Sequence, residues 1–107
     1  MIKQNVNLNF DQIKNIYKKF IISDETQEST RYFKRQIIFK FENLWGASLL
    51  FSDVSDGLEL AVIRFTTKDS KNYYVRYETE ICEGMLTNLD IDKVYFYLEK
   101  IQNLNEG

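Results

Sequence analysis

The fold is decided by the stretch Phe41-Glu42-Asn43-Leu44-Trp45-Gly46-Ala47-Ser48-Leu49-Leu50-Phe51, at the centre of residues 39–65. Its pattern predicts a strand that ends at Asn43, a tight turn, and a returning strand that begins at Ala47. A turn this short leaves no room for a crossover, so these two strands must be antiparallel. A polar turn follows, and it leads into a third predicted strand from Leu58 to Thr67.

The strands around this turn form the predicted sheet. The first strand alternates with a period of two, and its buried aromatic face includes Arg35. The buried face comprises Phe33, Ile37, Phe39 and Phe41, and the opposite, mixed basic face comprises Tyr32, Lys34, Gln36, Ile38 and Lys40. The third strand is apolar on both faces except at Glu59 and Arg64, which predicts a central position covered on both sides. With a fourth strand from Tyr73 to Ile81, residues 31–81 are predicted to form a four-stranded antiparallel sheet.

A first helix is predicted before the sheet. Residues 1–8 form an extended lead-in, and the helix covers residues 9–22. Asn9 can cap its free amides, with Gln12 in the capping-box position. The predicted buried stripe comprises Ile13, Ile16, Tyr17, Phe20 and Ile21. Residues 23–30 are polar throughout and are predicted to form a loop.

A second helix is predicted after the sheet, over residues 88–104, with Thr87 or Asn88 as its cap. Its buried stripe comprises Ile91, Val94, Tyr95, Leu98 and Ile101. Residues 1–107 are therefore predicted to form one α+β domain. It consists of an N-terminal helix, a four-stranded antiparallel meander and a C-terminal helix, with both helices on one face of the sheet.

The composition indicates a domain that folds without external support. A chain of 107 residues with 44% hydrophobic and 15% aromatic residues can bury a core without a metal or a disulfide. The single cysteine, Cys82, cannot form an internal disulfide, which is typical of a reducing compartment. The sequence shows no signal-like or membrane-spanning apolar run. We expect a soluble, cytoplasmic protein without membrane contact.

Charge is distributed unevenly along the chain. Residues 1–50 hold eight Lys or Arg against five acids, a net charge of +3, and residues 51–107 hold six against eleven, a net charge of −5. This asymmetry predicts a dipolar surface, which can steer a charged partner. It is too small to identify a nucleic-acid-binding protein or a DNA mimic by itself.

Catalytic chemistry has few candidate residues. The chain contains no histidine, and Cys82 has acidic neighbours that raise rather than lower a thiol pKa. Asp53, Asp56 and Glu59 surround Gly57 and could hold a hard cation, but their spacing differs from the calcium-loop pattern, and a plain turn requires the same residue types. We predict no catalytic residue, no cofactor and no metal site.

Four motifs carry a resemblance to a known family. They are Phe41-Glu42-Asn43-Leu44-Trp45-Gly46-Ala47-Ser48-Leu49, Gly57-Leu58-Glu59-Leu60-Ala61-Val62, Tyr77-Glu78-Thr79-Glu80-Ile81 and Leu86-Thr87. The chain resembles small uncharacterised proteins of phages and prophages of Gram-positive bacteria, whose pattern reads F-x-N-G-Y-G-A-S-V, G-L-x-E-L-A-V, Y-D-T-P-I-T and G-x-L-T. The resemblance covers about residues 39–104 and implies a phage or mobile-element origin without implying an activity. The chain differs at Leu44-Trp45 and at Glu80, which replaces the family's proline, and by its added N-terminal helix.

Two kinds of binding surface follow from the residue pattern. The first would contact a protein, with aromatic anchors at Trp45, Phe96 and Tyr97. Its acidic residues would be Glu80, Glu83, Asp90 and Asp92. Trp45 could instead fold back as the lid of the core. The function predicted from this surface is non-enzymatic: the protein would bind and occlude a host protein, with a defence nuclease such as a CRISPR effector as the suggested target.

The alternative surface would contact nucleic acid through basic residues of the first helix and first strand. These are Lys14, Lys18, Lys34, Arg35 and Lys40. Basic residues beside aromatic ones on a sheet can hold phosphates and stack bases. A homodimer is a further possibility, because the outer sheet face includes the apolar residues Tyr32, Ile38, Leu50 and Tyr74.

Overall fold

The fold is known from a computed structural model, which describes residues 3–55, 57–81 and 84–105, with the side chains of 3–6 left out. Two helices and six strands make up the described chain. In order they are α1 (Lys3–Ile16), a 3-10 turn (Lys18–Phe20), β1 (Ile21–Glu28), β2 (Phe33–Lys40), β3 (Trp45–Ser52), β4 (Leu58–Phe65), β5 (Tyr73–Val75), β6 (Leu86–Leu89) and α2 (Ile91–Gln102). The α+β class is confirmed, with an N-terminal helix, an antiparallel sheet and a C-terminal helix following one another along the chain.

The strands form one antiparallel sheet in the order β1-β2-β3-β4-β5, and β6 pairs with β4 on the same side as β5. In the central hairpin, Phe39 lies opposite Ala47, and Ala47 lies opposite Val62 on the next strand. The turn between β2 and β3 places Leu44 at a φ of 71°. The predicted hairpin is therefore present, but the predicted count of four strands is wrong.

The additional strand at one end of the sheet is β1, which covers most of the residues predicted to form a loop. Beyond Ile21 and Ile22, which pack against the core, its sequence is polar, so the alternation that identifies a strand is missing. An edge strand does not need an apolar face, because backbone hydrogen bonds to a neighbour hold it. The pairing of Thr26 with Arg35 and of Asp24 with Ile37 shows that β1 runs along the whole of β2.

The first helix begins earlier than predicted and ends earlier. Residues 3–8 are helical rather than extended, and Asn9 lies inside α1 rather than at its start. Phe10, Ile13 and Tyr17 are buried, whereas Ile16, predicted to be buried, is 63% exposed. The helix ends at Ile16 because the chain turns through Lys18–Phe20 to enter β1.

The end of the chain also differs from the prediction. The fourth strand extends only over Tyr73–Val75 rather than to residue 81. Residues 86–89, which include the predicted cap positions of the last helix, form β6 instead. Helix α2 begins at Ile91, and its cap is Asp90, whose carboxylate accepts a hydrogen bond from the amide of Lys93 at 2.9 Å.

The core lies between the sheet and both helices. The larger buried cluster includes residues of α1, of α2 and of one face of β2, β3 and β4, so both helices cover the same sheet face. A smaller cluster on the opposite face comprises Ile38, Ile63 and Phe65. Strand β4 is buried on both faces, as its apolar sequence predicts.

Candidate protein-binding surface

Helix α2 presents an aromatic side chain to solvent. Val94, Leu98 and Ile101 are buried at helical spacing, which directs the positions on the opposite side of the helix outward. Phe96 is one of these and is 55% exposed. Its ring packs edge-to-face against Tyr97 with centroids 5.2 Å apart, and the ammonium group of Lys100 lies 5.3 Å from its centroid. Phe96 is thus held in one place without being covered.

Two surface concavities lie on either side of Phe96. The first has a volume of about 530 Å³ and separates α2 from the segment before β6; its lining is Glu80, Ile81, Phe96, Tyr97, Lys100, Asn103 and Leu104. The second has a volume of about 500 Å³ and is lined by Asp92, Tyr95, Phe96, Glu99, Lys100 and Asn103. We call the residues of both concavities the α2 surface. It combines aromatic and aliphatic side chains with charged ones.

The acidic residues predicted for this site have different roles. Glu80 and Asp92 line the two concavities, one each. Asp90 is occupied as the cap of α2, and Glu83 lies outside the described residues. Glu99, which sequence reasoning missed, accepts a hydrogen bond from the Tyr17 hydroxyl at 2.6 Å. Burial and the nearby Asp92 raise the pKa of Tyr95, so this phenol stays neutral beside the carboxylates.

Trp45 is the lid of the core rather than an exposed anchor. It is only 6% exposed, and its Nε1 donates to the carbonyl of Asn105 at 2.6 Å. The guanidinium groups of Arg64 and Arg76 lie 5.1 and 5.3 Å from its ring centroid. Beside it, the Asn43 side-chain amide donates to three carbonyls at the end of α2, at 2.9 to 3.0 Å. The motif that decides the hairpin therefore also holds the end of α2, next to the α2 surface.

The residues predicted for nucleic-acid binding do not share one surface. Lys14 donates to Asp24, and Arg35 is buried on the core face of β2. Lys40, on the opposite face, donates to the backbone carbonyls of Thr67, Lys68 and Ser70. Lys34 shares the outer sheet face with Lys40, whereas Lys18 is exposed in the 3-10 turn.

A basic cavity that the sequence did not indicate lies at the end of β2. Its volume is about 420 Å³, and its lining is Lys19, Phe20, Lys40, Phe41, Glu42, Leu44 and Lys68. Lys19 and Lys68 come from segments 49 positions apart in the sequence, so only the fold brings them together. The three ammonium groups and one carboxylate give this cavity a positive balance.

An ion cluster connects α1, β1 and β2. Arg35, whose side chain is 9% exposed, donates to both carboxylate oxygens of Asp24, and also to Asn7 and Asp11. The guanidinium group lies 5.1 Å from the ring centroid of Phe10. The hydrogen bond from Arg35 is the main reason that the pKa of Asp24 is lowered, and burial only partly offsets it.

The outer sheet face differs from the apolar surface expected for a homodimer. Ile38 is 5% exposed because it packs in the smaller cluster, while Leu50 is half-buried. Gln36 and Ser48 occupy the middle of this face and hydrogen-bond to each other at 2.8 Å. Tyr32 is exposed, and so is Tyr74, which lies opposite Arg64 on the other face.

The part of the chain that the structure describes offers neither a metal-ligand cluster nor a membrane-spanning helix. No group of three or more acidic, cysteine or histidine side chains there could hold a metal ion. Asp53 accepts a hydrogen bond from the amide of Phe33 at 2.7 Å, and Asp56 lies outside the described residues. Neither α1 nor α2 is long and apolar enough to cross a membrane.

Comparison with protein-family models, with curated proteins and with solved structures finds no match to this chain.

Proposed function

We propose that this chain is a small, non-enzymatic protein that binds another protein through the α2 surface and acts by occluding it. The exposed ring of Phe96, between two concavities, is the observation on which the proposal rests. Exposed aromatic residues with apolar pockets beside them are typical of protein contacts. Tyr97 restrains Phe96 from one side, so little side-chain freedom is lost on binding.

The rim of the α2 surface favours a basic partner. Glu80 lines one concavity, and Asp92 and Glu99 line the other, whereas Lys100 is the one cation common to both. A partner that inserts an apolar side chain beside Ile81 can place arginine or lysine near these carboxylates. The basic groove of a nucleic-acid-binding protein has this chemistry.

The biological setting follows from the sequence resemblance. We propose that the chain comes from a phage or mobile element and acts in the cytoplasm of the host cell. A host defence nuclease, such as a CRISPR effector, has a basic groove of the required kind. A chain with no histidine and a single cysteine is suited to act by shape and charge rather than by turnover.

A pull-down from lysate of a Gram-positive host, analysed by mass spectrometry, tests this proposal. The bait is the tagged protein, with Phe96→Ala as the test variant and Tyr77→Ala as the matched control. Tyr77 is 61% exposed and lines neither concavity of the α2 surface. We expect a basic nucleic-acid-binding protein to be retained by the wild type and by Tyr77→Ala, and to be lost with Phe96→Ala. Equal retention by all three baits, or retention of nothing specific, contradicts the proposal.

A second candidate function, nucleic-acid binding, is favoured by the basic cavity. Lys19 and Lys68 could hold phosphates there, with Phe20 beside them as an aromatic platform. Binding of this kind weakens steeply with salt and depends on the two lysines rather than on Phe96. Titration of a labelled single-stranded oligonucleotide at two salt concentrations, with the variant Lys19→Ala/Lys68→Ala, separates the two functions.

A further inference from the structure

Strand β1 is an open edge of the sheet. Among the described strands it pairs only with β2, and its eight residues, Ile21–Glu28, contain no proline. From Glu25 onward every residue of the strand is exposed. A long edge with unpaired backbone groups is a template for the addition of another strand.

The hairpin geometry shows which backbone groups face outward. The amide of Ser29 donates to the carbonyl of Tyr32 at 2.8 Å, which makes this pair a hydrogen-bonded one. In antiparallel pairs hydrogen-bonded and non-hydrogen-bonded positions alternate, so Thr26 and Asp24 occupy non-hydrogen-bonded positions. Their N–H and C=O groups therefore point away from β2. The backbone amide and carbonyl of Phe33 bond to Asp53 on the β3 side, which is the direction that this alternation requires.

The ion cluster holds this edge in place. Arg35 donates to Asp24 from Nε at 3.1 Å and from Nη2 at 2.8 Å, and Nη2 also donates to Asp11 of α1 at 3.1 Å. The edge is thus attached through one side chain to the neighbouring strand and to the helix above it. Because the edge is already ordered, little free energy is lost to ordering β1 when a partner strand binds.

The charge of β1 decides whether a second copy of the chain or a basic segment of another protein fits this edge better. Strand β1 carries Asp24, Glu25 and Glu28 and no lysine or arginine. Asp24 is already paired with Arg35 and Lys14, so the exposed carboxylate of Glu25 decides the preference. If a second copy paired through its own β1, neither strand would bring a basic side chain to this carboxylate. An extended segment with lysine or arginine at alternate positions would instead meet the exposed carboxylate of Glu25.

We propose that β1 is a docking edge for an extended, lysine- or arginine-bearing segment of a partner protein, which adds to the sheet as a further strand. Thr26 and Asp24 supply the backbone hydrogen bonds, and the exposed carboxylate of Glu25 supplies the preference for basic side chains. This edge uses none of the residues of the α2 surface. The two binding sites can therefore be tested, and can fail, independently.

A synthetic peptide provides the probe. It has eight residues, alternating lysine and threonine, with blocked ends and a fluorescent label. One control peptide carries glutamate in place of lysine, and another is N-methylated at four consecutive central residues, which removes N–H donors but keeps the charge. Binding to the full chain is measured by anisotropy at low salt, and amide exchange is followed at residues 24 and 26.

The protein variants are Thr26→Pro, which removes an outward N–H without removing a bond to β2, and Thr26→Val, which keeps it. We expect the lysine peptide to bind and to protect the two amides. We expect Thr26→Pro to weaken binding about tenfold and Thr26→Val to leave it within about twofold. Neither control peptide should bind.

Any of the following results would overturn the proposal. One is binding of the N-methylated peptide as tightly as the parent, which would make the contact purely electrostatic. Another is unchanged binding by a folded Thr26→Pro variant, or no binding of the lysine peptide at all. The last is a dimer in light scattering that Thr26→Pro abolishes, which would assign the edge to a second copy. If Thr26→Pro does not fold, the N-methylated peptide decides the outcome.

Discussion

Arg35 and Asp24 form a two-bond ion pair across β1 and β2, with Nε 3.1 Å from Oδ1 and Nη2 2.8 Å from Oδ2. Both side chains are largely removed from water, at 9% and 14% exposure. Arg35 lies on a face of β2 that is otherwise apolar, so its charge has to be compensated locally. The pair satisfies that requirement and at the same time keeps a polar strand on the edge of the sheet.

Loss of this pair should destabilise the protein. Asp24→Asn leaves the buried guanidinium facing a neutral amide, and we expect the free energy of unfolding to fall by about 2–3 kcal/mol. Lys14→Met is the matched control, because Lys14 bonds to the same carboxylate from a side chain that is 49% exposed. It should cost less than about 1 kcal/mol. Urea unfolding followed by circular dichroism measures both, and equal losses would contradict a special role for the buried partner.

The same carboxylate should make stability depend on acid pH. The pKa of Asp24 is lowered in the folded state, so its contribution is complete above the unfolded-state value near 4 and is lost as the pH falls through the folded-state value. The difference in unfolding free energy between the wild type and Asp24→Asn should therefore shrink steadily below about pH 4. Urea titrations at a series of pH values check this, and a constant difference would show that Asp24 does not titrate in this way.

Contacts of Tyr17 with α2 should contribute to the free energy of unfolding. Its hydroxyl donates to Glu99 at 2.6 Å, and its ring stacks on Tyr95. Tyr17→Phe removes the hydrogen bond and should cost about 1–2 kcal/mol. Burial and the hydrogen bond to Glu99 raise the pKa of Tyr17, so this contribution is complete below about pH 10 and is lost as the pH rises further. Urea unfolding at neutral and alkaline pH should show the penalty of Tyr17→Phe decreasing above that pH.

Substitutions at Phe96 and Leu98 should distinguish a role in binding from a role in folding. Leu98 is fully buried, whereas Phe96 is 55% exposed two positions earlier on the same helix. Leu98→Ala should lower the free energy of unfolding by about 3 kcal/mol, and Phe96→Ala should change it by less than about 1 kcal/mol. Thermal and urea unfolding of both variants test this. A large loss with Phe96→Ala would mean that its ring supports the fold and is not available to a partner.

Substitution of Gly46 should be strongly destabilising, because the neighbouring atoms leave no room for a side chain. A Cβ at this position would overlap the carbonyl oxygen of Phe39 and approach a ring carbon of Phe65 to 2.7 Å. We expect Gly46→Ala to cost about 3 kcal/mol or more, because the facing strand has to move. Gly84→Ala is the comparison, since Gly84 has a φ of 78° and no atom within 4 Å of its added Cβ. That variant should cost about 1 kcal/mol from backbone strain alone, and unfolding experiments distinguish the two.

Local sequence determined the centre of this protein. Alternation in β2, the short turn at Asn43 and the apolar run of β4 each define their strand from neighbouring residues, and the structure has these strands where the pattern places them. The buried stripe of α2 is likewise a local 3.6-residue period. These elements could be predicted because the side chains that identify them are the ones that the core buries.

The edges of the fold and the candidate site were decided by tertiary structure. Strand β1 is polar from Ser23 onward, so this part is a strand because it pairs with β2 and because Arg35 bonds to Asp24. The sequence singled out Trp45, which the structure buries beneath the end of α2, and Phe96, which it leaves exposed. The sequence therefore determined which segments could fill a core. Backbone pairing and burial of charge depend on partners far along the chain, so only the assembled molecule could decide where its edge and its exposed surface lie.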